Sequence, residues 1–292
     1  MQIQSSYEES DKGKLYIVPT PIGNLDDMTF RAVQILKNVD LILAEDTRHS
    51  QKLLSHFSIS TRLLSFHQHN TAARMQDVLE RLLEGKDLAL VSDAGMPAIS
   101  DPGYELVKEA ILQDIQVITL PGANAALPAL VGSGLSAEEF VFYGFLPRKQ
   151  KAKTDELVRL SKYPATIILY ESPFRVKETL RQIEKHVGNR QVVISREISK
   201  VHEQYIRGTC QELVEWVEEH AIKGECCILI DGNTSTEIPT DNIWWASLSI
   251  AAHVQTYEAT GLTHKEAMKK AATDRQITKR DVYRRIHIES DN

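Results

Sequence analysis

The chain has 292 residues, of which 42% are hydrophobic and 25% charged, and its formal net charge is −6 at pH 7. This composition is typical of a folded protein of about two domains, which excludes a disordered chain and argues against a globally basic nucleic-acid binder. Its three cysteines, Cys210, Cys226 and Cys227, are too few and badly spaced for a disulfide framework or a Cys-based zinc site.

The start of the chain, residues 1–11, is polar and lacks the basic and apolar regions of a signal peptide. The sequence also contains no apolar run of the length that a membrane-spanning helix needs. We therefore expect a cytoplasmic protein that makes no use of a membrane.

The first half of the sequence alternates short apolar runs with helical periodicity. We predict strands at 15–18, 41–44, 63–66, 87–91 and 117–120. Three helices between these strands have predicted starts. The first is capped by Asp27, and the third starts near Asn70. The fourth is capped by Asp101, with Pro102 in the first helical position. This order predicts a parallel α/β domain. No G-x-G-x-x-G or phosphate-binding P-loop is present, which removes the main reason to expect a nicotinamide, a flavin or a nucleoside triphosphate.

The rhythm changes after a helix of small residues at 125–132. Strands are predicted at 140–145, 166–170 and 226–230, together with a hairpin of 192–195 and 204–207, and a basic loop at 148–153. We interpret this part as a second, mixed α/β domain, with the ligand cleft between the two domains. The predicted boundaries are a flexible tail at 1–13, domains at 14–123 and 124–234, a linker at 235–240, and a helical region at 241–292.

The C-terminal region is predicted to contain helices at 248–260, 265–273 and 279–287. Between His264 and Ile288 there are eight basic residues and three acidic ones, although the whole chain is acidic. A basic tail on an acidic body indicates a polyanionic partner, and a solvated helix face is the equally weighted alternative.

The loop at 92–103 follows a strand and precedes a helix. Its small residues would let a ligand approach the backbone, and Asp93 would supply a fixed acceptor at the carboxyl end of the strand. An ordinary connection between strand and helix is the alternative.

Five segments resemble the bacterial small-subunit ribosomal RNA methyltransferase I family. They are LYIVPTPIGNL at 15–25, AEDTR at 44–48, VSDAGMPAISDPG at 91–103, LPGAN at 120–124 and LYESP at 169–173. The resemblance extends from about Leu15 to the basic C-terminus. It implies the tetrapyrrole-methylase-like fold, in which two α/β domains hold S-adenosylmethionine in the cleft between them, here followed by a small helical C-terminal region.

The resemblance further implies transfer of a methyl group to the ribose 2′-hydroxyl of a cytidine in the decoding centre, position 1402 of 16S ribosomal RNA. The implied partner is 16S ribosomal RNA or the assembling small subunit, and a homodimer is compatible with the resemblance because dimers are common in this fold. The methyl group is already activated on a sulfonium, so the protein mainly positions the reactants and no metal is required. His67 and His69 resemble a metal pair but lack a third ligand at useful spacing.

The cofactor residues are carried over from the matching loops, and for Tyr170 and Ser195 simple strand packing is the alternative. They are Ile22, Gly23, Asp93, Met96, Asn124, Ala125, Tyr170 and Ser195.

A base should accept the proton of the ribose hydroxyl. The candidates are Glu45, Asp46 and Glu171, and for Glu45 and Asp46 the alternative is complementing a helix dipole. Basic residues that would contact RNA phosphates complete the predicted site; they are Arg48, Arg175, Lys200, Lys269, Lys270, Arg284 and Arg285. For Arg48 the alternative is pairing with Asp46, and for Arg175 and Lys200 it is a solvated surface.

Two other functions stay open on the sequence. One is methylation of a tetrapyrrole-like small molecule by the same fold, which would need no basic tail. The other is a ribosome- or RNA-binding protein without activity, which would have no reason to bind S-adenosylmethionine.

Overall fold

The computed structural model describes residues 1–6, 8–67, 71–101, 103–233, 245, 248–275 and 277–289. The chain divides into two compact units, Met1–Asn233 and Thr234–Asn292.

The first sheet has five parallel strands in the order β3-β2-β4-β1-β5. The strands are β1 Leu15–Ile17, β2 Leu41–Ala44, β3 Leu63–Ser65, β4 Leu88–Val91 and β5 Val117–Thr119. Between them lie a 3-10 helix at Leu25–Asp27 and the helices α1 Phe30–Asn38, α2 Thr47–His56, α3 Thr71–Leu83 and α4 Tyr104–Leu112.

Helices cover both faces of this sheet. One face packs α3 and α4 around Leu82 and Leu106, and the other packs α1 and α2 around Leu36 and Leu54. Because both faces are covered, the central strands β2 and β4 are buried at every position, which explains their continuous apolar runs. The carboxyl ends of the five parallel strands therefore meet at one edge, where the loops can hold a ligand.

The second sheet is mixed, in the order β6-β7-β10-β8-β9, with β6 and β7 parallel and the other pairs antiparallel. Its strands are β6 Phe140–Phe145, β7 Thr166–Glu171, β8 Gln191–Arg196, β9 Gln204–Thr209 and β10 Cys226–Ile230. The helices of this half are α5 Ala126–Ser133, α6 Gln150–Leu160, α7 Val176–Val187 and α8 Cys210–Glu219.

The structure confirms the ten predicted strands and the α/β class, but it corrects several helix boundaries. The cap of α1 is Thr29, whose side chain accepts from the Ala32 N–H, and not Asp27. Helix α4 begins at Tyr104 after an N-cap at Gly103, so the predicted cap at Asp101 is wrong. The predictions for Asn70, Pro102 and the linker at 235–240 lie outside the described residues.

The predicted basic loop at 148–153 is wrong from residue 150 onward, because α6 begins at Gln150. Lys153 turns inward on this helix: its side chain is 2% exposed, and its ammonium group is 3.0 Å from a carboxylate oxygen of Glu178 on α7. The sequence pattern did not separate such a buried lysine from its exposed neighbours.

The first residues contact the body of the unit. The side chains of Gln2 and Gln4 bond to backbone groups of Ile111 and Val117, and the Lys12 ammonium donates to the carbonyl of Gln113. The domain boundaries and the flexibility of residues 1–13 stay predictions.

The C-terminal unit contains α9 Ile250–Ala259, α10 His264–Asp274 and α11 Lys279–Glu289, close to the predicted helices. Its core is formed by apolar residues of all three helices, among them Val254, Ala271 and Val282.

Candidate active site

The loops after β1 and β4 are joined by backbone hydrogen bonds. Thr20 and Gly95 exchange two of them, each 3.0 Å long, and the Thr20 hydroxyl donates to the carbonyl of Ser92. Two of the predicted cofactor segments are therefore held together at the carboxyl edge of the first sheet.

Gly95 lies at the centre of the predicted cofactor residues. Its φ of +82° is in the left-handed region, and a side chain there would come within 3.3 Å of Ile22 and 3.9 Å of the Cα atom of Asn124. The structure thus brings Ile22 and Asn124 close together around Gly95. At this position only glycine leaves the space beside the backbone open. The side-chain oxygen of Asn124 accepts from the N–H of Leu127 and so caps the start of α5.

Met96 and Gly23 have different neighbours from this central set. Met96 is half-buried and packs against the core on the α3–α4 face of the sheet. The Lys200 side chain lies directly over Gly23, where a Cβ atom would be 2.2 Å from Cγ of Lys200.

Lys200 is held by carboxylates. Its ammonium nitrogen is 2.9 Å from Glu197 and 3.2 Å from Glu225, and its side chain is 29% exposed. These contacts hold the Lys200 side chain in place over Gly23. We therefore do not include Lys200 in the proposed RNA surface.

Four acidic residues follow β2 and β4, and we call Glu45, Asp46, Asp93 and Asp101 the carboxylate group. The backbone N–H of Asp46 donates to a carboxylate oxygen of Asp93 at 3.1 Å, which ties the two loops together. Burial and the nearby Asp93 raise the pKa of Glu45. Burial, with Glu45 and Asp93 as further causes, raises the pKa of Asp101 to about 6.

Asp101 was predicted only as a helix cap, whereas in the structure it is half-buried and within the influence of Glu45 and Asp93. Two non-glycine residues before it, Ala98 and Ser100, have φ values of 65° and 61°. Such conformations are costly and often occur at functional sites, where the surrounding structure maintains them. The sequence did contain one indication of this unusual backbone, because many small and turn-forming residues precede Asp101.

Asp46 has a different environment within the same group. It caps α2 by accepting from the Arg48 N–H, and its two carboxylate oxygens bind the Arg48 guanidinium at 3.1 and 2.7 Å. The side-chain hydrogen bond from Arg48 lowers the pKa of Asp46 far below its usual range. A carboxylate so stabilised in its charged form is a poor proton acceptor.

Glu171 is buried, and both of its oxygens are occupied. One accepts from the Ser172 N–H at 2.9 Å and lies 3.3 Å from Arg175, while the other accepts from the Thr179 hydroxyl at 2.7 Å. Arg175 also donates to the carbonyl of Leu146. These contacts make Glu171 and Arg175 parts of the structure around the start of α7, which argues against their predicted roles as base and phosphate contact.

Strand register brings Tyr170 and Ser195 onto one face of the second sheet. Both pair with Cys227 of β10, from opposite sides, and Ser195 pairs with Tyr205 of β9. This row faces α5, where Ala126 is packed. The Ser195 hydroxyl is fully buried and has no hydrogen-bond partner among the described residues, so it can still bond to a ligand.

The Tyr170 phenol lies beside the start of α5. Burial raises its pKa to about 12, and the nearby backbone N–H groups of Ala126 and Ala125 oppose this shift. The charge of Asp101 also raises this pKa, and Ile22, Ala125 and Tyr170 pack against the same apolar cluster. The residues predicted from separate loops thus converge on one region.

A bulge in β6 shapes the same region. The pairing of β6 with β7 shifts between Phe142 and Gly144, and the rings of Phe142 and Phe145 both contact Tyr170, at 4.9 and 5.7 Å. Gly144 has φ +80°, and a Cβ atom there would be 2.9 Å from Oγ of Ser100. The loop before Asp101 therefore packs closely against the second sheet.

The predicted basic residues of the C-terminal unit are exposed: Lys269, Lys270, Arg284 and Arg285. Lys270 lies 4.8 Å from the ring centre of Tyr257, and Arg284 is 3.9 Å from Asp281. Arg275 is an exception among the eight basic residues, because it points inward and donates to the carbonyl of Leu248.

Within the part of the chain that the structure describes, no three His, Cys, Asp or Glu side chains are arranged to hold a metal ion. His69, the second member of the histidine pair, lies outside it. The described helices also include none that is long and apolar enough to span a membrane.

Comparison with known proteins gives consistent results. Residues 14–214 match the family model described as Tetrapyrrole (Corrin/Porphyrin) Methylases. The chain is 51% identical over 99% of its length to the whole of a ribosomal RNA small subunit methyltransferase I from Halalkalibacterium halodurans. It is 49% identical to the Bacillus subtilis protein of the same name, over 96% of each chain.

Two solved structures share the fold at low sequence identity. A cobalt precorrin-4 methyltransferase of cobalamin biosynthesis superposes with a TM-score of 0.57 at 20% identity, covering 75% of this chain and 94% of its own. A uroporphyrin-III-C-methyltransferase from Thermus thermophilus gives 0.51 at 19% identity, covering 75% and 92%.

Proposed function

We propose that this chain, which belongs to the tetrapyrrole methylase family and within it to the ribosomal RNA small subunit methyltransferase I group, methylates the ribose 2′-hydroxyl of a cytidine in 16S ribosomal RNA. The nucleotide is position 1402 of the decoding centre, and the methyl donor is S-adenosylmethionine. The enzyme acts in the cytoplasm on 16S ribosomal RNA or the assembling small subunit, as a monomer or a homodimer.

One observation carries the choice of RNA over a small tetrapyrrole. The family model ends at residue 214, whereas the match to the ribosomal RNA enzyme covers 99% of the chain and so includes most of the basic C-terminal helices. A surface with Lys269, Lys270, Arg284 and Arg285 suits a polyanion and has no use in binding a small substrate. The two tetrapyrrole enzymes are at most 20% identical to this chain, and this similarity shows only that the fold is shared.

The residues around Gly95 fit the cofactor. The buried Ser195 hydroxyl has an unused hydrogen-bonding capacity, and the backbone around Gly95 leaves room that any side chain would fill. We propose that seven residues hold S-adenosylmethionine: Ile22, Gly23, Asp93, Asn124, Ala125, Tyr170 and Ser195. Met96 supports the loop after β4 by packing against the core. When bound, the cofactor supplies a methyl group already activated on a sulfonium.

We assign the proton acceptor to Asp101. Its pKa of about 6 keeps it largely ionised at neutral pH yet basic enough to accept a proton, a balance that favours general base catalysis. Glu45 and Asp93 contribute by raising that pKa. The Asp101 carboxylate would accept the proton of the ribose hydroxyl, and the chain would hold the hydroxyl oxygen in line with the methyl group that the cofactor supplies, so that the oxygen–carbon bond forms as the carbon–sulfur bond breaks and the cofactor leaves as a neutral thioether.

The test is to map 2′-O-methylation on 16S ribosomal RNA from cells with and without the protein. We expect one cytidine in the decoding centre to lose its methyl group without the protein and to regain it on complementation. Calorimetric titration with S-adenosylmethionine excludes the non-catalytic alternative if it shows stoichiometric binding. An unchanged methylation map would reject the assigned substrate.

A further inference from the structure

A pocket of about 550 Å³ lies between the first half of α2 and the segment that leads into β3, the edge strand of the first sheet. Its polar lining includes Arg48 and Gln51 of α2 together with Ser60 and Arg62, and Ile59 and Leu63 supply apolar surface. A pocket of this size and mixed lining accommodates a unit as large as a nucleotide.

The segment on the far side of the pocket is fixed by hydrogen bonds. The Thr61 hydroxyl donates to the carbonyl of Leu36 at 2.5 Å, and the Ile42 N–H donates to the carbonyl of Arg62 at 2.9 Å. The backbone that carries Ser60 and Arg62 is therefore held against α1 and β2, so a ligand would meet a preformed wall.

The two arginines differ in how they are held. Asp46 binds Nε and one terminal nitrogen of Arg48, which leaves other N–H donors of the guanidinium available on a side chain that is 88% exposed. Arg62 is exposed and has no ion-pair partner among the residues that the structure describes. Guanidinium groups bind phosphate oxygens well because their donors form a planar fork.

The pocket adjoins the carboxylate group along the chain. Arg48 follows Glu45 by three residues, so their Cα atoms are at most ~11 Å apart. The Asp46 N–H donates to Asp93, which fixes the position of this short segment relative to the loop after β4. A polymer whose reacting sugar lies at the carboxylate group would therefore pass close to the two arginines.

We propose that this pocket binds a nucleotide of the RNA substrate that flanks the methylated cytidine, with its phosphodiester at Arg48 and Arg62. This inference rests on the proposed function and adds a substrate contact in the first domain, separate from the basic C-terminal helices. Phosphate contacts fix the register of a nucleic acid on a protein, so the pocket would set which ribose reaches Asp101.

The experiment compares Arg62→Gln and Arg48→Gln with the control Arg81→Gln. Arg81 pairs with Asp77 on α3, which packs on the opposite face of the first sheet, so the control removes the same charge and a similar surface ion pair. The measurements are binding of full-length protein to 16S ribosomal RNA at several salt concentrations, single-turnover methylation of small subunits, and titration with S-adenosylmethionine.

We expect each pocket variant to bind RNA about tenfold more weakly, as loss of a charge-assisted hydrogen bond predicts. The slope of log K against log salt should fall by about 0.7 per lost contact. Cofactor affinity should match wild type, and the control should match wild type in all three measurements.

RNA affinity and salt slope equal to those of Arg81→Gln would overturn the proposal, and so would binding of inorganic phosphate alone with unchanged RNA affinity. Wild-type protein that does not methylate small subunits would instead overturn the proposed function, so the two failures are distinguishable.

Discussion

The Asp46 backbone N–H donates to the Asp93 carboxylate across 3.1 Å, and so joins the loop after β2 to the loop after β4. Asp93 was predicted to be a cofactor acceptor, and this bond gives its side chain a fixed orientation. One oxygen is engaged in the bond, which leaves the second for a ligand.

We expect Asp93→Ala to weaken binding of S-adenosylmethionine by roughly 1.5–3 kcal/mol, the value of a hydrogen bond to a charged group, while the protein stays folded. Asp93→Asn keeps an oxygen that can accept from the Asp46 N–H, so it separates the structural bond from the charge. Calorimetry on both variants is the measurement. If cofactor affinity in a folded Asp93→Ala protein equals that of wild type, Asp93 does not belong to the cofactor site.

The second prediction concerns the proton acceptor. Asp101→Asn should retain cofactor affinity and lose single-turnover rate on the order of 10²-fold or more, because a general base acts mainly in the transition state. In wild type, the rate should fall as pH drops below about 6, where Asp101 takes up a proton.

Glu45→Gln removes a like charge from the neighbourhood of Asp101. The acid limb of the rate profile should then move to lower pH, with turnover at pH 8 largely preserved. Asp46→Asn should have little effect on the chemical step. If Glu45→Gln abolishes turnover at every pH and Asp101→Asn does not, the base is Glu45, one of the three candidates predicted from the sequence.

A third prediction follows from the same pKa and concerns stability. The folded-state pKa of Asp101 lies above its ordinary value of 3.8, so between these values the native state binds more protons than the unfolded state. The contribution of Asp101 to stability therefore falls as pH rises from about 4 to 6, and stays at its low value above that range. The Tm of Asp101→Asn minus that of wild type should increase over this window, and a constant difference would contradict the raised pKa.

A fourth prediction tests the C-terminal helices. Replacing Lys269, Lys270, Arg284 and Arg285 by Gln should weaken RNA binding and flatten the slope of log K against log salt by up to roughly 3 units, if all four contact phosphate. Cofactor affinity should stay unchanged. An unaltered slope together with full methylation of small subunits would mean that these residues form only a solvated surface.

The fifth prediction concerns the buried Lys153. Glu178→Gln leaves a lysine side chain that is 2% exposed without its carboxylate partner, whereas Lys153→Met leaves only a half-exposed glutamate side chain without its partner. We expect Glu178→Gln to destabilise the protein by about 1–3 kcal/mol, less than for a fully buried pair, and Lys153→Met to cost less. Denaturant unfolding of both variants tests this order, and equal losses would contradict it.

The sequence predicted the strands well because buried parallel strands are continuous apolar runs, as in β2 and β4. It located α4 less accurately: Asp101 and Pro102 form a plausible cap, but the chain continues through Gly103, with φ +131°, before the helix begins. Local capping rules contain no information about such tertiary constraints.

For the site, loops that match known motifs led to the prediction of Ile22, Asn124, Tyr170 and Ser195 as cofactor residues; the structure brings these residues to one region, and their role stays a prediction. The roles of the acidic residues were less accessible, because the sequence does not show which acids are paired: Glu171 ends β7, and Asp101 lies in the loop between β4 and α4. What separates them is their partners: Glu171 is saturated by Thr179, Ser172 and Arg175, whereas burial and like charges raise the pKa of Asp101.

The bulge in β6 changes which face of the sheet the residues after it point to. In a regular strand, residues three apart point to opposite faces, yet Phe142 and Phe145 both contact the Tyr170 ring, because β6 has two residues between them where β7 has only Leu169 between their partners Ile168 and Tyr170. Deleting a single residue at 143 or 144 would leave Phe142 and Phe145 two residues apart and therefore still on one face of a regular strand. What constrains the bulge is the contact of Gly144, with φ +80°, against Ser100, so related sequences should tolerate a shorter strand here more readily than a side chain at position 144.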